Sequence, residues 1–457
     1  MTPTNRIGTA FFGLVVTAFL AGSAACGSDN NAQPVAGTGG SGGQPADSAI
    51  DDADSGMSVK SAKSSLARDL NPSVSASDFQ ALLDGNAAFA LDLYARLRSE
   101  PGNLMISPYS ASIALAMTWA GARGTTEAQM ASAMHFLLPQ GTLHPAFDKL
   151  SLQLAALNTT ADPATGKGFQ LNVANSVWAA QSMTWHTEFL DTLALYYGAG
   201  IFLTDFVNSY EAARSDINTW VADETQQRIK DLLPPGSIAS DTHMVLVNAV
   251  YFRASWNEPF VASLTQDMPF HALSGDVNVP MMRDTRPMLH GEGDGFQVGE
   301  IPYEGFGAVM TVVVPELGRY DEIEGMLTPA WLQAQVASMQ SGEVNLYMPK
   351  FGFESGPLFL KTSLQAMGMN DPFKVSADFS GMTPDGTNIA EVIQKTFVAI
   401  DEKGTEAAAA TAVIMAGSSA GGSGPPTVDL HLDRPFLFFI REKQTGTILF
   451  MGRYVGP

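Results

Sequence analysis

The stretch that most restricts this chain is Asp401-Glu402-Lys403-Gly404-Thr405-Glu406, followed by Ala407, Ala408, Ala409 and Ala410 and then Thr411-Ala412-Val413-Ile414-Met415-Ala416. A strand-like run, Thr396-Phe397-Val398-Ala399-Ile400, leads in, and another, Thr427-Val428-Asp429-Leu430-His431-Leu432, leads out. Alanine is the best helix former, so local propensity favours a helix over 406–412. The surroundings oppose it. Gly404 precedes the run, and Gly417-Ser418-Ser419-Ala420-Gly421-Gly422-Ser423-Gly424-Pro425-Pro426 follows it, a tail that cannot hold a helix. Small side chains between two strands also suit a segment that slides into a sheet without clashes. Two readings follow: a short alanine helix ending in a loop, or a spare strand.

A chain of 457 residues can hold two or three domains, though single folds of this size exist. The formal net charge of -21 argues against a nucleic-acid partner, because little here competes for phosphates. The single cysteine, Cys26, excludes an internal disulfide and a thiolate metal cluster. The 7 histidines show no ligand spacing, so no metal and no other cofactor is expected.

Residues 1–25 read as an export signal: Arg6 precedes an apolar run, 7–20, that falls short of the ~20 residues of a membrane span. Small residues then lead to Cys26. The arrangement resembles a bacterial lipoprotein signal, which implies lipidation of Cys26; Ser23 departs from the leucine-like residue usual there. The expected location is the cell envelope, through a lipid anchor, or the exterior. Residues 26–76, rich in Gly, Ser, Ala, Asn, Pro and Asp, bury too little apolar surface to repay ordering and read as a disordered linker. Gly37-Thr38-Gly39-Gly40-Ser41-Gly42 matches a dinucleotide fingerprint but lacks the strand and helix that give it meaning.

The folded domain is placed at 77–457. Apolar residues from Phe79 to Leu97 recur at helical spacing, which predicts a helix over 77–99 capped by Ser77. Pro101-Gly102 ends it, and a second helix is expected to run to Ala120. Further helices are expected at 144–157, 210–231 and 358–367. Leu171 to Ala179 reads as a strand, and Val245-Leu246-Val247-Asn248-Ala249-Val250-Tyr251-Phe252 as a strand buried on both faces. Residues 265–315 alternate strand and turn.

Several of these pieces resemble the serpins: the stretch 401–411 their reactive-loop hinge, Asn103 to Ser110 their Asn-x-x-x-Ser-Pro-x-Ser start, Asn175-Ser176-Val177-Trp178 an Asn-x-x-Trp pattern, Trp256-Asn257-Glu258-Pro259-Phe260 a Trp-x-x-Pro-Phe pattern, and 434–441 and 446–453 the closing strands. The resemblance spans roughly 78–457. It implies an α+β fold of about eight to nine helices around three β-sheets, with an exposed reactive-centre loop at about 402–426. It also implies a monomer that is not an enzyme. Glu402, Gly404, Thr405, Glu406 and Ala407 to Ala410 then form the hinge. Ser107, Ser110, Asn248, Trp256 and Gln394 occupy the shutter and breach, the regions where the central sheet opens. Gln394 stands where the family usually has histidine. An amide also offers a donor and an acceptor, so the network can persist without the pH sensitivity of imidazole.

The implied activity is suicide inhibition of serine endopeptidases. The loop is cut as a substrate, an acyl-enzyme forms, and the cut loop inserts into the central sheet with the protease attached. A strand of ~15 residues reaches about 50 Å at ~3.3 Å per residue. Alternate counting turns Thr405, Ala407, Ala409 and Thr411 inward, so no charge has to be buried. The family's usual spacing puts the cut near Ser418-Ser419, with Met415 or Ala416 as alternatives. None of these is basic, which points to elastase-, subtilisin- or chymotrypsin-like targets; a papain-like cysteine protease and a non-inhibitory binding protein are the other readings. The 144–157 helix has one basic residue, Lys149, so no heparin activation is expected. Gly417-Ser418-Ser419-Ala420-Gly421 matches a hydrolase elbow, but the glycines and prolines after it forbid the required helix.

Overall fold

The computed structural model describes residues 59–162, 165–406 and 427–457. The signal sequence, Cys26, most of the linker, Ala407 to Ala410 and the scissile candidates Met415, Ala416, Ser418 and Ser419 lie outside the described residues.

A short strand, β1 (Lys60–Ala62), precedes α1 (Ala76–Leu97). The N-cap of α1 is Ser75, whose hydroxyl accepts the Asp78 N–H, and not Ser77 as the spacing predicts. Ser77 instead bonds to the Ser75 hydroxyl, and burial of Leu82, Phe89, Leu93 and Leu97 sets the helix rotation. β2 (Leu104–Ile106) leads to α2 (Pro108–Trp119), which starts on Pro108, where a missing N–H costs nothing. All 12 residues of α2 are buried, because it lies in the middle of the molecule. α3 (Gly124–Ala133) and α4 (Gln140–Ala155) follow. α4 begins before the expected 144, with Pro145 inside its first turns; Leu143 and His144 are buried and fix the earlier start.

β3 (Phe169–Ala180), α5 (Thr187–Tyr197) and β4 (Ile201–Thr204) come next. α6 (Phe206–Glu224) ends short of the expected 231, because Gln226, Gln227 and Asp231 have left-handed φ of 53°, 62° and 51°. β5 (Met244–Ser255) is buried along nearly its whole length, as expected of a central strand. β6 (Gln266–Ala272), β7 (Gly275–Gly293), β8 (Phe296–Pro302) and β9 (Ala308–Pro315) form a meander, followed by α7 (Tyr320–Gly325) and α8 (Pro329–Ser338). β10 (Gln340–Pro349), β11 (Phe351–Phe359) and a short α9 (Lys361–Ala366) return the chain to β12 (Glu391–Asp401). The last elements are β13 (Gly404–Thr405), β14 (Val428–His431), β15 (Phe436–Glu442) and β16 (Ile448–Tyr454).

The strands form a seven-stranded sheet, β1-β4-β3-β5-β13-β12-β11, and a nine-stranded sheet, β14-β10-β7-β8-β9-β15-β16-β2, with β6 paired to β7. Hydrogen bonding thus gives two networks among the described residues where the resemblance implies three sheets. The cause is β7, which pairs with β6 over 275–281, with β10 over 281–290 and with β8 over 289–293. α2 packs on β3, β5 and β16 and so lies between the two sheets.

Residues 59–75, placed by composition in the linker, are a correction. β1 extends the edge of the seven-stranded sheet by pairing antiparallel with β4. Arg68 donates to the buried Asp148 of α4 at 2.7 Å and to Ser151 at 2.9 Å, and the Asp69 N–H donates to the Leu195 carbonyl. Partners distant in sequence order a segment whose own composition could not.

Candidate functional site

The site is the junction of β5 and β12. Over their first halves the two strands pair directly and in parallel, from Glu391 opposite Val245 to Thr396 opposite Val250. Beyond that they diverge. β13 fills the space and pairs antiparallel with both: Gly404 and Thr405 face Ser255 and Ala254 on β5, and Asp401 and Ile400 on β12. The hinge is therefore already two residues deep in the sheet. Gly404 is required there, since its φ is 152° and a Cβ would stand 2.1 Å from the Ala254 carbonyl oxygen. Thr405 faces inward as alternation predicts; it is 1% exposed and its hydroxyl meets that of Tyr303 at 2.7 Å. At Glu406 the φ of 49° is left-handed, an unusual backbone for a residue with a side chain, and the Glu406 N–H still donates to Ala399 O at 2.6 Å.

Charged groups surround this end of the slot. Glu402 accepts from Lys350 Nζ and from the Thr265 hydroxyl, both at 2.8 Å. Burial pushes the Glu402 carboxyl up, but these hydrogen bonds outweigh it and hold the group below its ordinary range. Glu406, which alternate counting turns outward, is a correction: its side chain is 7% exposed and pairs with Arg228, because the left-handed backbone there breaks the strand alternation. Burial pushes its carboxyl up, and the charges of Arg228 and Arg253 offset that only in part. Trp256 is fully buried, stacks on Tyr303 at 4.6 Å, and donates from Nε1 to Asp401 O at 3.0 Å; its own N–H donates to Lys403 O.

The other end of the slot is held by amides and hydroxyls. Gln394 accepts the Ser107 N–H and donates to Ser107 O, both at 2.9 Å, and also donates to the side-chain Oδ1 of Asn248. Asn248 Nδ2 donates to Ser110 Oγ and to Asn175 Oδ1, each at 2.6 Å. Asn175 closes the ring by donating to Ser110 O and accepting the Ser110 hydroxyl. The Ser107 hydroxyl donates to Leu449 O at 2.7 Å. The network ties β12, β5, β3, α2 and β16 together, and none of its side chains titrates.

The structure thus brings Ser107, Ser110, Asn248 and Gln394 into one cluster, and Trp256, Glu402, Gly404, Thr405 and Glu406 into another. Sequence reasoning left out Asn175, whose signal was its place in the Asn-x-x-Trp pattern. It also left out Arg228, Tyr303 and Lys350. Arg228 carried no usable signal, because it falls where a continuous helix was expected.

Comparison with known proteins gives one consistent result. Residues 84–457 match the family model described as Serpin (serine protease inhibitor). The leukocyte elastase inhibitor of Sus scrofa is 37% identical over 385 residues, covering 81% of this chain and 98% of that protein. An uncharacterized serpin-like protein of Thermococcus kodakarensis is 36% identical over 372 residues, covering 81% of this chain and 84% of that one. Among solved structures, the thermophilic serpin Tengpin in its native state superposes with a TM-score of 0.74 at 27% identity, covering 86% of this chain and 96% of Tengpin.

Proposed function

The chain belongs to the serpin family, and from that premise we propose that it is a suicide-substrate inhibitor of serine endopeptidases, exported and acting outside the cytoplasm, and not itself an enzyme. The observation that supports this most is the seat of Gly404 and Thr405 between β5 and β12. The slot is already started, and only the direct pairing of β5 with β12 over 391–396 and 245–250 has to yield for it to lengthen.

In the proposed reaction the serine hydroxyl of the target attacks a carbonyl between Met415 and Ser419. The new ester joins the protease to the loop, and the amine end of the cut chain leaves with a proton. The freed loop then follows Thr405 into the sheet. It replaces one parallel pairing with two antiparallel ladders, each bond contributing roughly 0.5–1.5 kcal/mol net. The small side chains after Glu406 fit an insertion that buries no charge. Elastase-, subtilisin- or chymotrypsin-like proteases are the proposed targets, because 407–426 holds no basic anchor and a 37% identical relative is named as an elastase inhibitor.

Incubation with a panel of such proteases tests the reading. A covalent adduct that survives SDS, with release of a fragment beginning near Ser419, is the expected result. Cleavage by every protease with no adduct contradicts it.

A further inference from the structure

The chain carries 25 basic residues against 46 acidic ones, yet two arginines converge on the hinge. They line a cleft of about 410 Å³ together with Gln226, Tyr251, Phe397 and Glu406. Tyr251 and Arg253 of β5 and Phe397, Ala399 and Ile400 of β12 form its walls, beside Glu406. Arg228 is brought there by the turn at Gln226 and Gln227, whose left-handed backbones end α6 and carry the next residue over the Phe397 ring, 5.9 Å away. Its side chain is 53% exposed, while the Glu406 carboxylate it pairs with is 7% exposed. Arg253 lines the same cleft as Glu406, its charge favours that carboxylate, and it forms no ion pair among the described residues. The other acid of the cleft, Asp401, is occupied by the backbone N–H groups of Lys403 and Gly404.

We infer that Arg228 and Arg253 form a receptor for a phosphate group, that Glu406 is its internal occupant, and that an external phosphate taking Arg228 from Glu406 expels the hinge from the sheet. Guanidinium forks bind phosphate with paired, charge-assisted hydrogen bonds, and a doubly charged oxyanion outcompetes a single carboxylate for two of them. Arg228 is reachable from solvent. Glu406 is not, and it stays buried only while a cation faces it. A buried charge deprived of its partner is strongly destabilising, more than the intact pair is stabilising. The left-handed backbone at Glu406 adds strain that the released hinge sheds. The acidic net charge of the chain repels an anion only weakly at the cleft, because exposed charges beyond about 8–10 Å are screened at physiological salt. A freed hinge presents a longer loop to a protease. That consequence rests on the inhibitory reading above; the release itself does not.

Hydrogen exchange of the Thr405 and Glu406 amides reads the release without any protease. The probe is inorganic phosphate, compared with chloride at equal ionic strength. In the wild type, exchange is expected to rise about tenfold in phosphate, since the opening free energy sets the exchange rate. Arg228→Gln is expected to exchange fast in both salts. Glu406→Gln, which has no charge to strand, is expected to stay protected in both. Equal wild-type protection in phosphate and chloride overturns the inference. So does a Glu406→Gln variant that loses protection in phosphate as the wild type does, because phosphate would then act elsewhere. If the wild type releases its hinge but no protease forms an adduct, the inference stands and the inhibitory reading falls.

Discussion

The two ends of the β5–β12 junction are built from different chemistry. At one end Gln394, Asn248, Asn175, Ser110 and Ser107 close the sheet with neutral side chains, all bonded to each other or to backbone. At the other, two carboxylates, Glu402 and Glu406, face Lys350 and Arg228 around a hinge already seated in the slot. The neutral end holds no side chain that titrates. On the reading proposed here, the charged end sets whether the hinge leans in or out, and so answers to pH and salt. An inhibitor of the proposed kind needs the two properties apart: a barrier that holds the uncut loop in a long-lived state above the lowest-energy one, and a trigger that senses the cut.

The largest break in that division is expected from a charge in the slot. Thr405→Arg puts a guanidinium at a position that is 1% exposed, at a cost of several kcal/mol. SDS-stable adduct with the target protease should then fall to near zero while loop cleavage continues. The next largest effect belongs to the neutral end. Asn248→Ala strands Gln394, Ser110 and Asn175 in the core, and a loss of roughly 2–4 kcal/mol is expected in urea unfolding, with faster spontaneous insertion of the uncut loop on warming.

A smaller change exchanges the characters of the two ends. Gln394→His brings imidazole to a fully buried position. Burial lowers the folded pKa of such a group, so its neutral form contributes stability above about pH 6.5 that is lost as pH falls through that value. The variant should lose thermal stability between roughly pH 6.5 and 5, a dependence that the wild-type shutter, with no titrating group, does not contribute. The smallest effect is at Glu402. Its folded pKa lies below the ordinary 4.5, so its contribution is present above that value and is lost as pH falls below it. Lys350 is partly exposed, so no more than about 1 kcal/mol is expected. The difference in melting temperature between wild type and Glu402→Gln, followed from pH 7 to 3, should shrink to nothing at the acid end.

The same contrast explains what the sequence made legible. Strands buried on both faces, such as 245–252, and the hinge with its small residues are written locally, in unbroken apolar runs or in a compact motif. Gln394 was readable as a shutter residue only through the resemblance, because it stands where the family usually has histidine; amide chemistry then said that the network could persist. The ordering of 59–75 was not readable, since Arg68 finds Asp148 and β1 finds β4 only after the chain has folded. The placement of Arg228 was hidden for a related reason. Gln226 and Gln227 have ordinary helix propensity, so nothing local announces their left-handed backbones. The half-seated hinge follows from two strands distant in sequence that part beyond Thr396.

Loop cleavage followed by thermal denaturation tests the central claim most directly. If the uncut fold is a loaded state, protein nicked once within 407–426 should melt at least ~10 °C above the intact protein, through the added ladder bonds and buried side chains. A nicked protein that melts no higher than the intact one would mean that severing the loop releases no stored energy, and the trapping mechanism would be contradicted.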